Sequence, residues 1–218
     1  MPFNRKLVAA ALSRLAKRVQ AAGLDEETIA KVAAAAKAGK KYILYRKEGG
    51  LWRIMACKDF GNVGRYQIGG LIEKEANLSH QGICWVDGNA KAYGNAKVEG
   101  DCLVTGSAQV YGSAKVQEFC SIEESAKVYG NAVVKYNAYI HGNAKIYGAA
   151  QVYGSAWVYD SAEVFENARV YDDARIYGNA KIHGGIHVLG PTHVCGASNF
   201  AGNAHVDRDE ILKDQKIK

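Results

Sequence analysis

The residues best able to do chemistry in this chain of 218 are six histidines and five cysteines. His141 is the candidate catalytic acid–base, because Glu123 stands eighteen residues before it and Tyr159 eighteen after. A carboxylate beside an imidazole orients the ring and raises its proton affinity, which is what proton transfer requires. The alternative is an ordinary surface pair. His183, His187, His193 and His205 crowd the C-terminal part. Their spacing fits no recurrent zinc pattern, and outward histidines on a polar rim serve equally well. Cys84, Cys102 and Cys120 also recur every eighteen residues. They alternate with alanine at inward positions, so they read as small buried apolar groups, and no metal or other cofactor is expected. Cys57 and Cys195 complete an odd set without a CxxC pair or a secretory signal, which fits a reducing cytoplasm.

A second group is suited to binding. Tyr93, Tyr111, Tyr129, Tyr147 and Phe165 repeat at eighteen residues and end in His183, beside a mostly basic series that includes Lys127 and Lys145. Such a ladder can stack nucleotide bases. Its rings can instead stack on one another or be buried in a subunit contact, and that reading is preferred. Another series holds Trp85, Leu103, Tyr139, Trp157, Tyr159, Arg175, Tyr177 and His193, a density of aromatic residues that marks an interface. A third is mixed and polar, from Lys97 and Lys115 to Arg169, with Tyr153 and Tyr171 towards its far end. Residues 1–48 hold eleven Lys/Arg, Arg14, Lys17 and Arg18 among them, against four Asp/Glu, a surplus of seven that leaves the rest of the chain, within a net charge of +6, near neutral. This basic end suits an acidic partner, nucleic acid or protein, or is simply a solvated helix face.

These series are positioned by a six-residue repeat. A small residue recurs from Cys84 and Ala90 through Ala180, and two places later stands an aliphatic one, Val86 through Ile182, with Ala92 the exception. The pattern weakens at Ile186, Thr192 and Ser198 and returns at Ala204 and Val206, giving twenty-one hexads without an insertion. Positions two apart share one side of a strand. Gly and Asn, which usually follow, tolerate the left-handed backbone of a corner. Each hexad is thus a short strand and a turn, unable to bury its apolar side except by stacking on others. One eighteen-residue column is Val throughout, from Val98 to Val206.

Ahead of the repeat, the apolar spacing predicts a helix over about Phe3–Ala22 and a second, capped by Asp25 and ending at Gly39. The basic, Ala-rich first helix has the composition of an organelle transit peptide, though an ordinary helix explains it as well. Strands Tyr42–Arg46 and Leu51–Ala56 flank a Gly49-Gly50 turn. The expected organisation is a two-helix segment over 1–40, short strands capping the prism over 41–82, the repeat over 83–206 and a charged tail over 207–218. No apolar run is long enough to cross a membrane.

The repeat resembles the hexapeptide-repeat proteins, although Tyr often follows the aliphatic position and Gly comes one place later, as in Ala144-Lys145-Ile146-Tyr147-Gly148. The resemblance implies a left-handed parallel β-helix with three hexads per triangular coil, about seven coils here, and a mainly β fold behind a small α+β N-terminal domain. It also implies a homotrimer of prisms packed side by side, with the contact on the Trp157 face or the edge that face shares with the tyrosine ladder. Relatives include acyltransferases with a histidine base between subunits and carbonic anhydrases with a metal held by histidines of two chains. Those enzymes usually extrude a loop from the coils, and Cys84 to Ala180 has no room for one. A second resemblance lies in Leu51-Trp52-Arg53-Ile54, Lys58-Asp59-Phe60, Gly69-Gly70-Leu71-Ile72-Glu73, Asn77-Leu78-Ser79 and Cys84-Trp85-Val86. These look like YdcK-like proteins, which are common in bacteria and their prophages.

Together these readings lead to a non-catalytic binding protein of phage or prophage setting. It would engage a host protein complex, with inhibition of a host defence system as one use, or a nucleotide-like ligand. An acyltransferase using His141, and nucleic-acid binding through the basic N-terminal helices, are the alternatives.

Overall fold

The computed structural model describes residues 23–217 together with Ser13 and Gln20. The first predicted helix, with Arg14, Lys17 and Arg18, lies outside the described residues apart from Ser13 and Gln20, which are helical. The second is present as α1, Glu26–Lys37. Asp25 caps it by accepting from the Thr28 backbone N–H at 2.7 Å. Gly39, at φ +79°, lets the chain turn away. Val32 is the buried residue of α1 and packs with Met55, Cys57 and Tyr66.

Strands β1 (Tyr42–Glu48) and β2 (Leu51–Ala56) form an antiparallel hairpin. Gly49 and Gly50 both have positive φ, as a two-residue hairpin turn of matching twist requires. Strand β3 (Ile68–Ile72) pairs antiparallel with β2 and parallel with Lys91–Ala92. The hairpin thereby extends one wall of the repeat domain. Arg53 fastens the junction, donating to Gly69 O at 3.2 Å, to Gly88 O at 2.6 Å and to the Glu48 carboxylate at 2.7 Å.

The repeat is a parallel β-solenoid with three walls; β1, β2 and β3 extend one of them into an eleven-stranded sheet, and the other two walls have eight and seven strands. Every partner lies one coil away, as in Lys127 with Lys145 on one wall and Tyr139 with Trp157 on another. The small and aliphatic positions face inward and are buried, apart from the half-buried Ala204, and the whole Val98–Val206 column is among them. Uniform β-branched stacks fill such an interior without polar atoms. Where the pattern weakens, the inward side chains are still satisfied. Thr192 donates to Leu189 O at 2.8 Å, and Ser198 donates to Cys195 O at 2.7 Å.

The solenoid runs further than the repeat predicts, to about eight turns rather than seven. Ile211–Lys213 pairs with His193–Cys195, and Lys216–Ile217 with Asn199–Phe200. Residues expected to form a charged tail therefore build part of another coil. Leu212 is turned inward and buried, and Ile217 packs against the core. The charges at Lys213 and Lys216 flank these apolar positions and mask them in the sequence.

Corners use the left-handed conformation, and stacked glycines explain why. A Cβ on Gly130 (φ +69°) would meet the Gly148 nitrogen at 3.0 Å. Yet Glu118, Glu124, Tyr136, Asp160, Glu166 and Asp172 adopt the same conformation, at a cost of about 1–2 kcal/mol each. Two of the acids recover something: Asp160 accepts from Gly178 N at 3.0 Å and Glu166 from Gly184 N at 2.8 Å. Tyr136 has no carboxylate to do this.

Candidate interaction surface

Three outer faces follow from the three walls. On the first, Tyr93, Tyr111, Tyr129, Tyr147, Phe165 and His183 form one continuous stack. Neighbouring centroids are 4.6–5.0 Å apart and the planes lie within 6° of parallel. The strand pairing imposes this spacing, since each ring sits one coil from the next. The faces of the internal rings are thereby covered by their neighbours, and the outside meets mainly edges and hydroxyls. Two hydroxyls are engaged: Tyr93 donates to Gln109 at 3.2 Å, and Tyr147 donates to Glu163 at 3.0 Å. Lys145 pairs with the same Glu163 at 3.0 Å, and Lys127 is half-buried alongside. Burial, with the Glu163 carboxylate second, holds the Tyr147 phenol well above its ordinary range.

On the second face Tyr153 and Tyr171 stack at 4.8 Å. His187 and His205 lie 4.4 Å apart, and burial with the neighbouring His205 pulls the His187 imidazole down. Among the described residues no three His, Cys, Asp or Glu side chains converge as metal ligands. The five thiols are free and buried. Cys102 donates to Glu118 O at 3.3 Å and Cys120 to Gln117 O at 3.1 Å.

The third face carries His141 and Glu123, one coil apart. Glu123 is engaged elsewhere: Ser121 donates to it at 2.6 Å and Tyr139 at 2.8 Å. Burial and this carboxylate push the Tyr139 phenol up to about 12. His141 is stacked on Tyr159 at 4.9 Å and tilted against Tyr139 at 4.7 Å. Its Nε2 is buried without a hydrogen-bond partner. Trp157 meets Tyr139 edge-on and carries Arg175 over its ring at 5.3 Å.

The third face and the edge it shares with the second also gather exposed apolar groups. Among the described residues, the exposed large hydrophobic side chains other than Ile68 all lie there: Ile83, Leu103, Phe119, Tyr136, Trp157 and Ile211. Phe119 and Tyr136 are 61% and 48% exposed. They sit on adjacent coils, with the Phe119 N–H donating to Tyr136 O at 2.9 Å. The corresponding corners on the other two edges are built from Gly, Asn, Ser, Ala, Asp and Glu. Sequence reasoning singled out Trp157 and Tyr159 but missed Phe119 and Tyr136. The available signal was negative, an aromatic residue where the repeat calls for Gly or a small polar one.

Near the N-terminus the described basic residues are largely occupied. Lys31 pairs with Glu27, Lys40 with Glu75 and Arg46 with Glu48, and Lys41 is buried.

A family model described as the YdcK beta solenoid repeat matches residues 168–184, close to one coil. No curated protein matches the chain. The three-walled parallel stack and that match agree, and the chain is a β-solenoid repeat protein.

Proposed function

We propose that this is a non-catalytic binding protein that works through protein–protein contact. The Leu103–Phe119–Tyr136–Trp157 surface packs copies of the chain side by side as a trimer. The remaining faces and the basic N-terminal region are left for a host protein complex. The YdcK-like resemblance favours a phage or prophage setting, in which blocking a host defence system is a fitting use. The observation that carries the reading is the apolar edge itself. Tyr136 holds a strained left-handed backbone while its ring stays in solvent, a cost that the fold does not require and that points to use elsewhere. Light scattering on the purified chain tests it. A mass of three copies, reduced to one in a Phe119→Ser, Trp157→Ala double variant that stays folded, is expected. A single-copy mass at micromolar concentration defeats the trimer.

One observation favours a second reading, an acyltransferase with His141 as base. The His141 Nε2 has no hydrogen-bond partner within the chain. Against it, Glu123 is held by Ser121 and Tyr139 rather than by the imidazole. Acyl-CoA turnover abolished by His141→Ala would establish it and overturn the non-catalytic assignment. Nucleic-acid binding through residues 1–48 would show as affinity that falls steeply with salt.

A further inference from the structure

Lys41 and Cys84 are both buried, with 1% and 0% of their surface exposed. The Lys41 Nζ lies 3.1 Å from the Cys84 Sγ. It also donates to Cys84 O at 2.8 Å, Gln81 O at 3.3 Å and Gly82 O at 3.4 Å, and the Phe60 ring covers it at 5.2 Å. Three carbonyls thus hold the nitrogen against the sulfur. A fully buried lysine is rare, because its charge is expensive to desolvate. The sulfur belongs to a column that continues with Cys102 and Cys120, while Ala138, Ala156 and Ala174 fill the same inward position further on. Apolar packing therefore accounts for the thiol but not for the buried amine, and among the described residues no other thiol is hydrogen-bonded to an amine.

We propose that Lys41 and Cys84 are a covalent modification site, at which peroxide joins them through a bridging oxygen, Nζ–O–Sγ. The link would tie the chain ahead of β1 to the first coil of the solenoid. A one-atom bridge spans the 3.1 Å gap with less movement than a direct N–S bond. The first peroxide oxidises the thiol to a sulfenic acid and leaves as water. The second accepts two further electrons as the sulfenyl oxygen bonds to the amine nitrogen. In sum, one amine, one thiol and two peroxides give the bridge and three waters. The S–H and one N–H are lost, and one S–O and one O–N bond are made. The amine must be neutral to react; burial acts in that direction by pulling the Lys41 ammonium down, with the Cys84 side chain acting against it, and the neutral amine keeps N–H groups for two of the three carbonyls. Peroxide is small and uncharged, which suits a site closed to larger oxidants.

Intact-mass measurement on the denatured, unreduced full chain after peroxide treatment tests the site. The expected result is a gain of about 14 Da that dithiothreitol reverses, with peptides holding Lys41 and Cys84 recovered joined. Cys84→Ala should abolish it, and this variant restores the residue used elsewhere in the column, so folding is retained. Lys41→Arg, which keeps the charge, should abolish it too. Gains only in steps of about 16 Da with the Lys41 peptide free, no change at excess peroxide, or a 14 Da gain persisting in Cys84→Ala would each overturn the proposal.

Discussion

The first and third faces are built from the same hexad, yet they differ in what they leave unfinished. On the first, repetition is nearly perfect, and each ring of the Tyr93–His183 ladder satisfies the next. On the third, the pattern breaks repeatedly, and Phe119, Tyr136 and Trp157 remain exposed. A repeat that stacks on itself completes its own contacts. A partner has something to bind where the stacking fails. Aromatic content alone therefore does not mark exposed ring surface, because no ring of the longer ladder is among the exposed large hydrophobic side chains.

Substitutions can break or sharpen this contrast. The largest effect is expected from the interior that both faces share. Ile140→Ala should cost about 2–5 kcal/mol in denaturant unfolding, since a fully buried side chain leaves a cavity between flanking coils. Tyr129→Ala removes two stacking contacts and should cost about 2 kcal/mol, with the assembly mass unchanged. Trp157→Ala should do the reverse, costing under about 1 kcal/mol in the isolated fold while weakening assembly at least tenfold, as for an interface anchor. If Tyr129→Ala dissociates the assembly and Trp157→Ala does not, the roles of the faces are exchanged. Tyr136→Gly should stabilise the chain by about 1 kcal/mol by relieving a left-handed residue, yet impair association.

The smallest effect concerns pH. Burial acts to raise the Glu163 carboxyl, but hydrogen bonds from Lys145 and Tyr147 prevail and hold it below its ordinary value of 4.5. The stability it contributes is complete above that value and is lost as pH falls through the lower folded one. A thermal-melt series should slope downward on acidification below 4.5, and Glu163→Gln should flatten that slope.

Much of this architecture is legible in the sequence because it is periodic. The Val column, the inward cysteines and the tyrosine ladder follow from counting in sixes and eighteens, and each lies where the count puts it. What the count does not reveal is aperiodic. Phe119 and Tyr136 look like noise in the motif. Lys41 looks like one more charge in a basic stretch until the chain folds it under Phe60. The final coil is hidden because its register shortens: Asn199 pairs with Lys216, seventeen residues on rather than eighteen. Glu123 and His141 share a column, but the nearer hydroxyls of Ser121 and Tyr139 take the carboxylate first. Periodicity predicts neighbours, not the competition among them.

The strict register from Cys84 to Ala180 makes the length of the molecule a quantised property. A coil can be gained or lost only whole, and residues on either side keep their partners when it is. Joining Ala144 directly to Glu163 leaves an intact hexad sequence and one fewer ring in each ladder. Gene segments encoding such a chain can therefore be duplicated or excised in units of one coil. The distance between the N-terminal hairpin and the C-terminal strands is then a ruler that recombination can reset without redesigning either end.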